Sequence, residues 1–182
     1  CIPMLWDMNN KPAEAIMEQW TELEGNVIKV KNKITCQRID DSYGEGIARS
    51  QELPAVYPIS TLSELYTYIG EEPFTNAPLT KLKVELLQDG FWGRYQNGQI
   101  KESWMAFVDK NKWGMAVYSP STQNFLAGMA GQPGGEATSN STSYIAPVKK
   151  VALYKNSVYE YEYYIIIGDL DKSRKTIYKL KS

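Results

Sequence analysis

The most informative hydrophobic pattern in the chain lies between Lys101 and Ser119, where apolar residues occupy both faces of two short segments. Successive side chains of a strand point to opposite faces, so residues 104–108 and 113–118 would each bury apolar groups on two sides. The polar residues 109–112 between them supply a turn. We therefore predict a central β-hairpin covered on both faces, in which Gly114 leaves room for a close neighbour.

Further strands are predicted from the same kind of pattern along the rest of the chain. Residues 26–38 alternate and predict one long strand, or a hairpin that turns at Lys31 and Asn32. Residues 60–69 fit either a short helix or a strand. The remaining predicted strands span residues 82–87, 124–129, 144–154, 158–167 and 176–180, with a turn at 169–174 before the last one.

One segment has helical rather than strand periodicity. Ala13, Ile16, Met17 and Trp20 recur at helical spacing, which predicts an amphipathic helix over residues 12–23 that ends at Gly25. The whole pattern predicts a mainly β fold, an antiparallel β-sandwich with one N-terminal helix, in a single domain over residues 1–182 with 1–24 as a helical lead-in.

Composition narrows the classes of function. The 182 residues contain 20 basic and 21 acidic side chains, so the net charge of −1 gives no electrostatic reason to expect nucleic acid or an anionic membrane as partner. No apolar run approaches the roughly 20 residues of a membrane span. The chain contains no histidine, which excludes Ser-His-Asp and Cys-His catalytic sites. The two cysteines cannot form a zinc site by themselves, and the apolar pattern around Cys36 predicts that it is buried and unbridged to Cys1.

The aromatic residues are biased toward the amphipathic ones, with 13 Tyr and 5 Trp against 4 Phe. Such side chains suit surfaces that are partly apolar and partly wet, of which sugar-binding surfaces are one kind. The alternative interpretation is that tyrosine fills strands, where it is favoured.

Carboxylates, guanidinium groups and an amide are concentrated between residues 38 and 52. Sugar hydroxyls need such planar hydrogen-bonding partners, and a carboxylate pair is also what a polysaccharide hydrolase or lyase would use. A solvated loop with a local ion pair is the alternative. The candidate ligand-binding residues in this segment are Asp41, Tyr43, Arg49 and Glu52.

Two other groups of residues are candidates. Phe91, Trp92 and Tyr95 lie in a glycine-rich loop, where exposed rings would form a platform for a sugar, or would cover the edge of the core. Glu102 precedes the central hairpin, in which Trp104 and Trp113 are expected to be core residues. No catalytic residue and no metal ligand are assigned. Acidic residues in several loops give only a weak indication of a Ca²⁺ site, because no EF-hand spacing is present.

Three segments carry a family resemblance: QELPAVYPIS with LYTYIGEEPFTNAPL, then KESWMAFVDKNKWGMAVYSPSTQNFLAG, then YIAPV with EYEYYIIIGDLDKSR. They resemble the galactose-mutarotase-like, supersandwich part of large secreted bacterial proteins that process polysaccharides. The resemblance implies a secreted module that lies beside other domains of the same polypeptide and meets a polysaccharide or oligosaccharide. Enzymes of that kind commonly use histidine, which this chain lacks, so a binding or accessory role is favoured over a carboxylate enzyme or a structural spacer. The chain begins at Cys1, from which we expect a piece of a larger protein, or a lipoprotein acylated at that residue.

Overall fold

The structure is a computed structural model that describes residues 1–3, 11–41, 44–87, 92–96, 98–134 and 140–181. These residues form eleven strands and one helix. They are β1 (Ala15–Glu24), β2 (Val27–Cys36), β3 (Arg49–Glu52), β4 (Glu64–Thr67), β5 (Thr80–Leu82), β6 (Gly93–Tyr95), β7 (Trp104–Val108), β8 (Trp113–Tyr118), β9 (Phe125–Ala130), β10 (Thr142–Val151), β11 (Val158–Asp169) and α1 (Leu170–Lys181).

The strands form two sheets, and the predicted mainly β, antiparallel fold class is confirmed. The larger sheet has the order β1-β2-β11-β8-β7-β4-β5 and the smaller one the order β3-β10-β9-β6. One buried cluster lies between the larger sheet and α1, and a second lies between the two sheets. The molecule therefore has three layers, with the larger sheet in the middle.

The central hairpin is confirmed as β7 and β8, in the middle layer. Trp104 and Ala106 face α1, whereas Met105 and Phe107 face the smaller sheet, and all four are buried. The close approach predicted at Gly114 is also present. A Cβ atom at this position would lie 2.2 Å from the carbonyl oxygen of Phe107, so only glycine allows the two strands to pair here.

The predicted N-terminal helix over residues 12–23 is wrong, because this segment is the strand β1. It pairs with β2 over ten residues through a two-residue turn in which Gly25 has a φ of 58°, as a tight hairpin favours. Of the predicted apolar face, Trp20 is 51% exposed and Ala13, Ile16 and Met17 are half-buried, so none of the four is a core residue. Strand pairing has overridden the local periodicity, and the supposed helical lead-in 1–24 ends in an edge hairpin. β2 is one long strand, which excludes the hairpin at Lys31 and Asn32.

The predicted turn at 169–174 and strand at 176–180 are also wrong, because these residues form α1. The Asp169 carboxylate accepts a hydrogen bond of 3.0 Å from the amide of Lys172, which caps the start of the helix. Leu170, Ser173, Arg174 and Ile177 are buried, at the spacing of one helix face. The segment is short and strongly charged, so its buried face cannot be recognised from the sequence. The packing of α1 against the larger sheet identifies that face.

The other segments agree with the prediction to different degrees. Residues 60–69 contain the strand β4 rather than a helix. The predicted strand at 82–87 is largely wrong, since β5 ends at Leu82 and Leu86 makes only an isolated bridge to Met129. The cysteines are free, and Cys36 is buried as predicted.

Candidate functional site

The candidate site lies on the outer face of the smaller sheet. Ile145 of β10 points into the core between the sheets, so the neighbouring Tyr144 points outward, directly across from Gly128 of β9. A Cβ atom at Gly128 would lie 3.1 Å from the Trp92 indole. The glycine thus lets the indole cross β9 and stack on the Tyr144 ring, at a centroid distance of 4.3 Å and an angle of 14°. A side chain at position 128 would also meet the Glu85 carbonyl oxygen, which would lie 2.5 Å from its Cβ atom.

A third ring and a carboxylate complete the arrangement, which we call the aromatic face: Tyr57, Trp92, Tyr144 and Glu52. The Tyr57 ring lies 4.9 Å from that of Tyr144 at an angle of 57°. Tyr144 is fully buried beneath its neighbours, Trp92 is half-buried and Tyr57 is 56% exposed. The two outer rings are therefore held in place by an interior one.

Glu52 is exposed on β3, which pairs with β10. The Tyr144 hydroxyl donates a hydrogen bond to Oε2 of Glu52. Burial, and then the hydrogen bond to the Glu52 carboxylate, raise the pKa of Tyr144 well above its ordinary value of 10. The phenol therefore stays protonated at neutral pH, where it acts as a donor and not as a general base. No described group bonds to the other carboxylate oxygen, Oε1, which can accept a hydrogen bond from a ligand.

The structure brings together only two of the residues predicted from sequence, Trp92 and Glu52. Arg49 is exposed, but it lies three residues before Glu52 in β3 and so on the opposite face of that strand. Asp41 is exposed in the loop that precedes β3. Tyr43 and Phe91 lie outside the described residues.

Tyr95 does not belong to the aromatic face. Its ring packs against the core between the sheets, and its hydroxyl donates a hydrogen bond of 3.4 Å to the carbonyl of Lys83. Burial raises the pKa of its phenol. The expectation that Trp92 and Tyr95 form one exposed platform is thus not met, since Trp92 directly precedes β6 and Tyr95, three residues later, points to the opposite face.

Glu102, also predicted as a binding residue, is 0% exposed and is bonded to protein groups on both oxygens. The Arg174 guanidinium donates to Oε2 from Nε at 3.0 Å and to Oε1 from Nη2 at 2.7 Å. Trp104 Nε1, the Phe74 amide and the Tyr178 hydroxyl donate at 3.0, 2.8 and 2.9 Å. Burial would raise the pKa of Glu102, but these hydrogen bonds, that of Arg174 first, lower it below its usual range. Glu102 therefore fastens α1 to the larger sheet, which corrects its assignment as a ligand-binding residue.

The two hairpin tryptophans differ in burial. Trp104 is fully buried, as expected of a core residue, whereas Trp113 is 52% exposed, contrary to that expectation. Trp104 belongs to the buried cluster beneath α1, whereas Trp113 is the first residue of β8 and points to the opposite face of the sheet.

The site contains residues that sequence reasoning missed, namely Tyr57, Gly128 and Tyr144. Tyr57 lies between two prolines and Tyr144 follows a segment rich in glycine and serine, contexts that do not single out either residue, and Gly128 lies within a predicted strand. Only the strand register places all three beside Trp92.

Neither a metal centre nor a membrane helix is found in the part of the chain that the structure describes. No three of its His, Cys, Asp and Glu residues are grouped as a metal site would need. Asp169, one of the acidic loop residues, instead caps α1. The described helix is too short and too polar to cross a membrane.

No protein-family model matches the chain, and the search of curated proteins gives no match.

Proposed function

We propose that the chain is a carbohydrate-binding module of a secreted polysaccharide-processing protein, and that a glycan binds on the aromatic face. The observation that carries the proposal is the Trp92 indole held parallel to the buried Tyr144 ring at 4.3 Å. An indole supported in this way loses little conformational freedom on binding, which lowers the entropic cost of association.

The polar groups beside the rings favour a sugar over a purely apolar ligand. A pyranose has C–H faces that pack on aromatic rings and hydroxyls at its rim that need acceptors. Glu52 supplies a carboxylate acceptor next to the platform, and hydrogen bonds to a carboxylate are among the stronger ones. Tyr57, half-exposed and tilted at 57° to Tyr144, would contact a second sugar unit.

The experiment is an affinity-gel screen of the purified chain against a broad polysaccharide panel, followed by calorimetry with oligosaccharides of the best polymer. Trp92→Ala should weaken binding by about 1–3 kcal/mol, as expected for removal of an aromatic anchor. Trp113→Ala is the control, because it removes a more exposed indole, 52% accessible, from another surface and should leave the affinity unchanged.

Glu52→Gln separates a binding module from the alternative of a carboxylate enzyme. A module should keep most of its affinity, because the amide oxygen still accepts a hydrogen bond. An enzyme that uses Glu52 should lose orders of magnitude in rate in a reducing-sugar assay, because the amide cannot transfer a proton. If the wild-type chain neither binds nor cleaves any member of the panel, the structural-spacer interpretation replaces both.

A further inference from the structure

β11 has two strand neighbours only along its second half. It pairs with β2 from Val158 to Ile166, but with β8 only from Tyr164 onward. β8 ends at Tyr118, and a turn closed by a hydrogen bond from the Thr122 amide to the Ser119 carbonyl leads the chain away. Residues 158–163 of β11 therefore have a single strand neighbour in the described part of the chain.

The register shows which backbone groups face this open side. Ser157 and Ile167 form backbone hydrogen bonds of 2.9 and 3.0 Å with the β2 side, so the odd-numbered residues of β11 face β2. Val158, Glu160 and Glu162 consequently point their N–H and C=O groups away from it. No described backbone group bonds to them. They form a row of donor and acceptor pairs spaced roughly 6.8 Å apart, two strand residues.

A cleft of about 560 Å³ lies beside this edge and extends over the neighbouring strands. Its lining comprises residues 160–162 of β11, Pro120, Ser121, Lys149 of β10, residues 31–33 of β2 and Trp20 of β1. Asn32 of β2 also lines the cleft and is 4% exposed, yet its Nδ2 atom makes no hydrogen bond to any described group. Burial raises the pKa of Tyr163, and the Asn32 side chain offsets part of that rise. A buried donor of this kind needs an acceptor.

We propose that the free edge of β11, residues 158–163, binds an extended polypeptide as an added antiparallel strand in line with β8. The regular row of paired donors and acceptors is complementary to a peptide backbone, which repeats at the same distance. A glycan has no such repeat. This proposal is independent of the aromatic face, which lies on the other sheet.

The side chains beside the edge indicate the sequence of the segment. On one face lies Glu160, which makes no ion pair with a described residue, beside Glu162, which lies 3.5 Å from the Lys29 ammonium group. On the other face the rings of Tyr159, Tyr161 and Tyr163 follow one another at 5.9 and 6.3 Å. The segment should therefore alternate basic residues, opposite the glutamates, with β-branched or aromatic residues opposite the tyrosines.

The probe is a hexapeptide of alternating lysine and valine that is blocked at both ends. Its affinity is measured by NMR from the shifts of the amide signals of the protein. In the proposed register the lysine N–H groups bond to β11, whereas the valine N–H groups point away. A peptide N-methylated at lysine should bind at least tenfold more weakly, and one N-methylated at valine should bind like the parent. Equal binding of the two methylated peptides, or no binding of the parent at millimolar concentration, would overturn the proposal.

Glu160→Pro tests the same point from the protein side. Proline removes the central one of the three N–H groups that face the open side and leaves the hydrogen bonds to β2 in place. We expect a loss of peptide affinity of at least tenfold with an unchanged circular dichroism spectrum, and a smaller loss for the control Glu160→Gln, which keeps the N–H. Unchanged affinity of Glu160→Pro would contradict the proposal. So would a dimer of the chain that this substitution dissociates, without peptide binding, since the edge would then belong to a second copy. If the proline variant does not fold, the methylated peptides still decide.

Discussion

Glu102 and Glu52 are both glutamates with a tryptophan and a tyrosine nearby, yet the structure uses them in opposite ways. Glu102 is fully buried and receives hydrogen bonds from a guanidinium group, an indole, a phenol and a backbone amide. Glu52 is exposed and receives one described hydrogen bond, from Tyr144. A buried carboxylate is tolerated only when its oxygens are fully paired, so Glu102 has no capacity left for a ligand.

The layer arrangement explains the contrast. α1 covers one face of the larger sheet and brings Arg174 and Tyr178 to Glu102. The outer face of the smaller sheet has no such covering element in the described residues, so Glu52 and Trp92 keep an accessible side. The residue types alone do not distinguish a structural glutamate from a ligand-binding one. The two are distinguished by the number of hydrogen-bond donors that the surrounding layers bring to the carboxylate.

The largest expected effect is the loss of stability in Trp104→Ala, which we compare with that in Trp92→Ala. Trp104→Ala should destabilise the fold toward the upper end of about 3–5 kcal/mol, because it empties a core site and also removes a donor to Glu102. Trp92→Ala should cost only about 0.5–1.5 kcal/mol, the energy of a ring pair at a half-buried position. Urea unfolding of both variants measures the difference. Similar losses of stability would remove the distinction between the core around Glu102 and the aromatic face.

Breaking the buried ion pair should have the next largest effect. Arg174→Met should cost about 3 kcal/mol, the lower end for loss of one partner, because the other three donors to Glu102 remain. The double variant Glu102→Leu with Arg174→Met also removes the acceptor of Trp104 Nε1, the Phe74 amide and the Tyr178 hydroxyl, so it should be less stable than Arg174→Met alone. A double variant that is more stable than the single one would show that the unpaired buried charge costs more than these three hydrogen bonds contribute.

Tyr144→Phe tests the hydrogen bond to Glu52 within the aromatic face. It removes the hydrogen bond to Glu52 but keeps the ring stack, so we expect a loss of about 0.5–1.5 kcal/mol in the free energy of unfolding. The loss should stay small because water can replace the phenol at the exposed carboxylate. A loss as large as that of Arg174→Met would mean that Glu52 is structural after all.

A third glutamate, Glu64, is intermediate in burial between Glu102 and Glu52, and its substitution has the smallest expected effect on stability. The ammonium groups of Lys112 and Lys81 lie 2.5 and 2.9 Å from its carboxylate, and they lower the pKa of Glu64 from 4.5 to about 2, with Lys112 the larger cause. A folded-state pKa below the unfolded one contributes stability above pH 4.5, which is lost as the pH falls toward 2.

Glu64→Gln should therefore be less stable than wild type at neutral pH, by about 1 kcal/mol or less as for other solvent-accessible ion pairs. The stabilities of the two proteins should converge between pH 4.5 and 2 in urea unfolding at several pH values. A difference that stays constant over this range would show that the carboxylate charge has no part in the effect.

The sequence by itself determined the central hairpin and its two buried faces, because two short apolar runs joined by a polar turn fit two strands that are covered on both sides. The same kind of pattern predicted β9, most of β10 and β11, and the close approach at Gly114. It also marked Trp92 and Glu52 as candidates, because an aromatic residue in a loop and a carboxylate in a polar segment are recognisable locally.

Only the tertiary structure decided the two ends of the chain and the composition of the site. β1 has helical periodicity but gains ten pairings with β2, and the polar segment of α1 becomes amphipathic only against the face that buries Arg174. The position of Tyr144 between Trp92 and Glu52 depends on the register of three strands distant in sequence. Pairing and burial of this kind are long-range properties, and no local pattern of residues contains them.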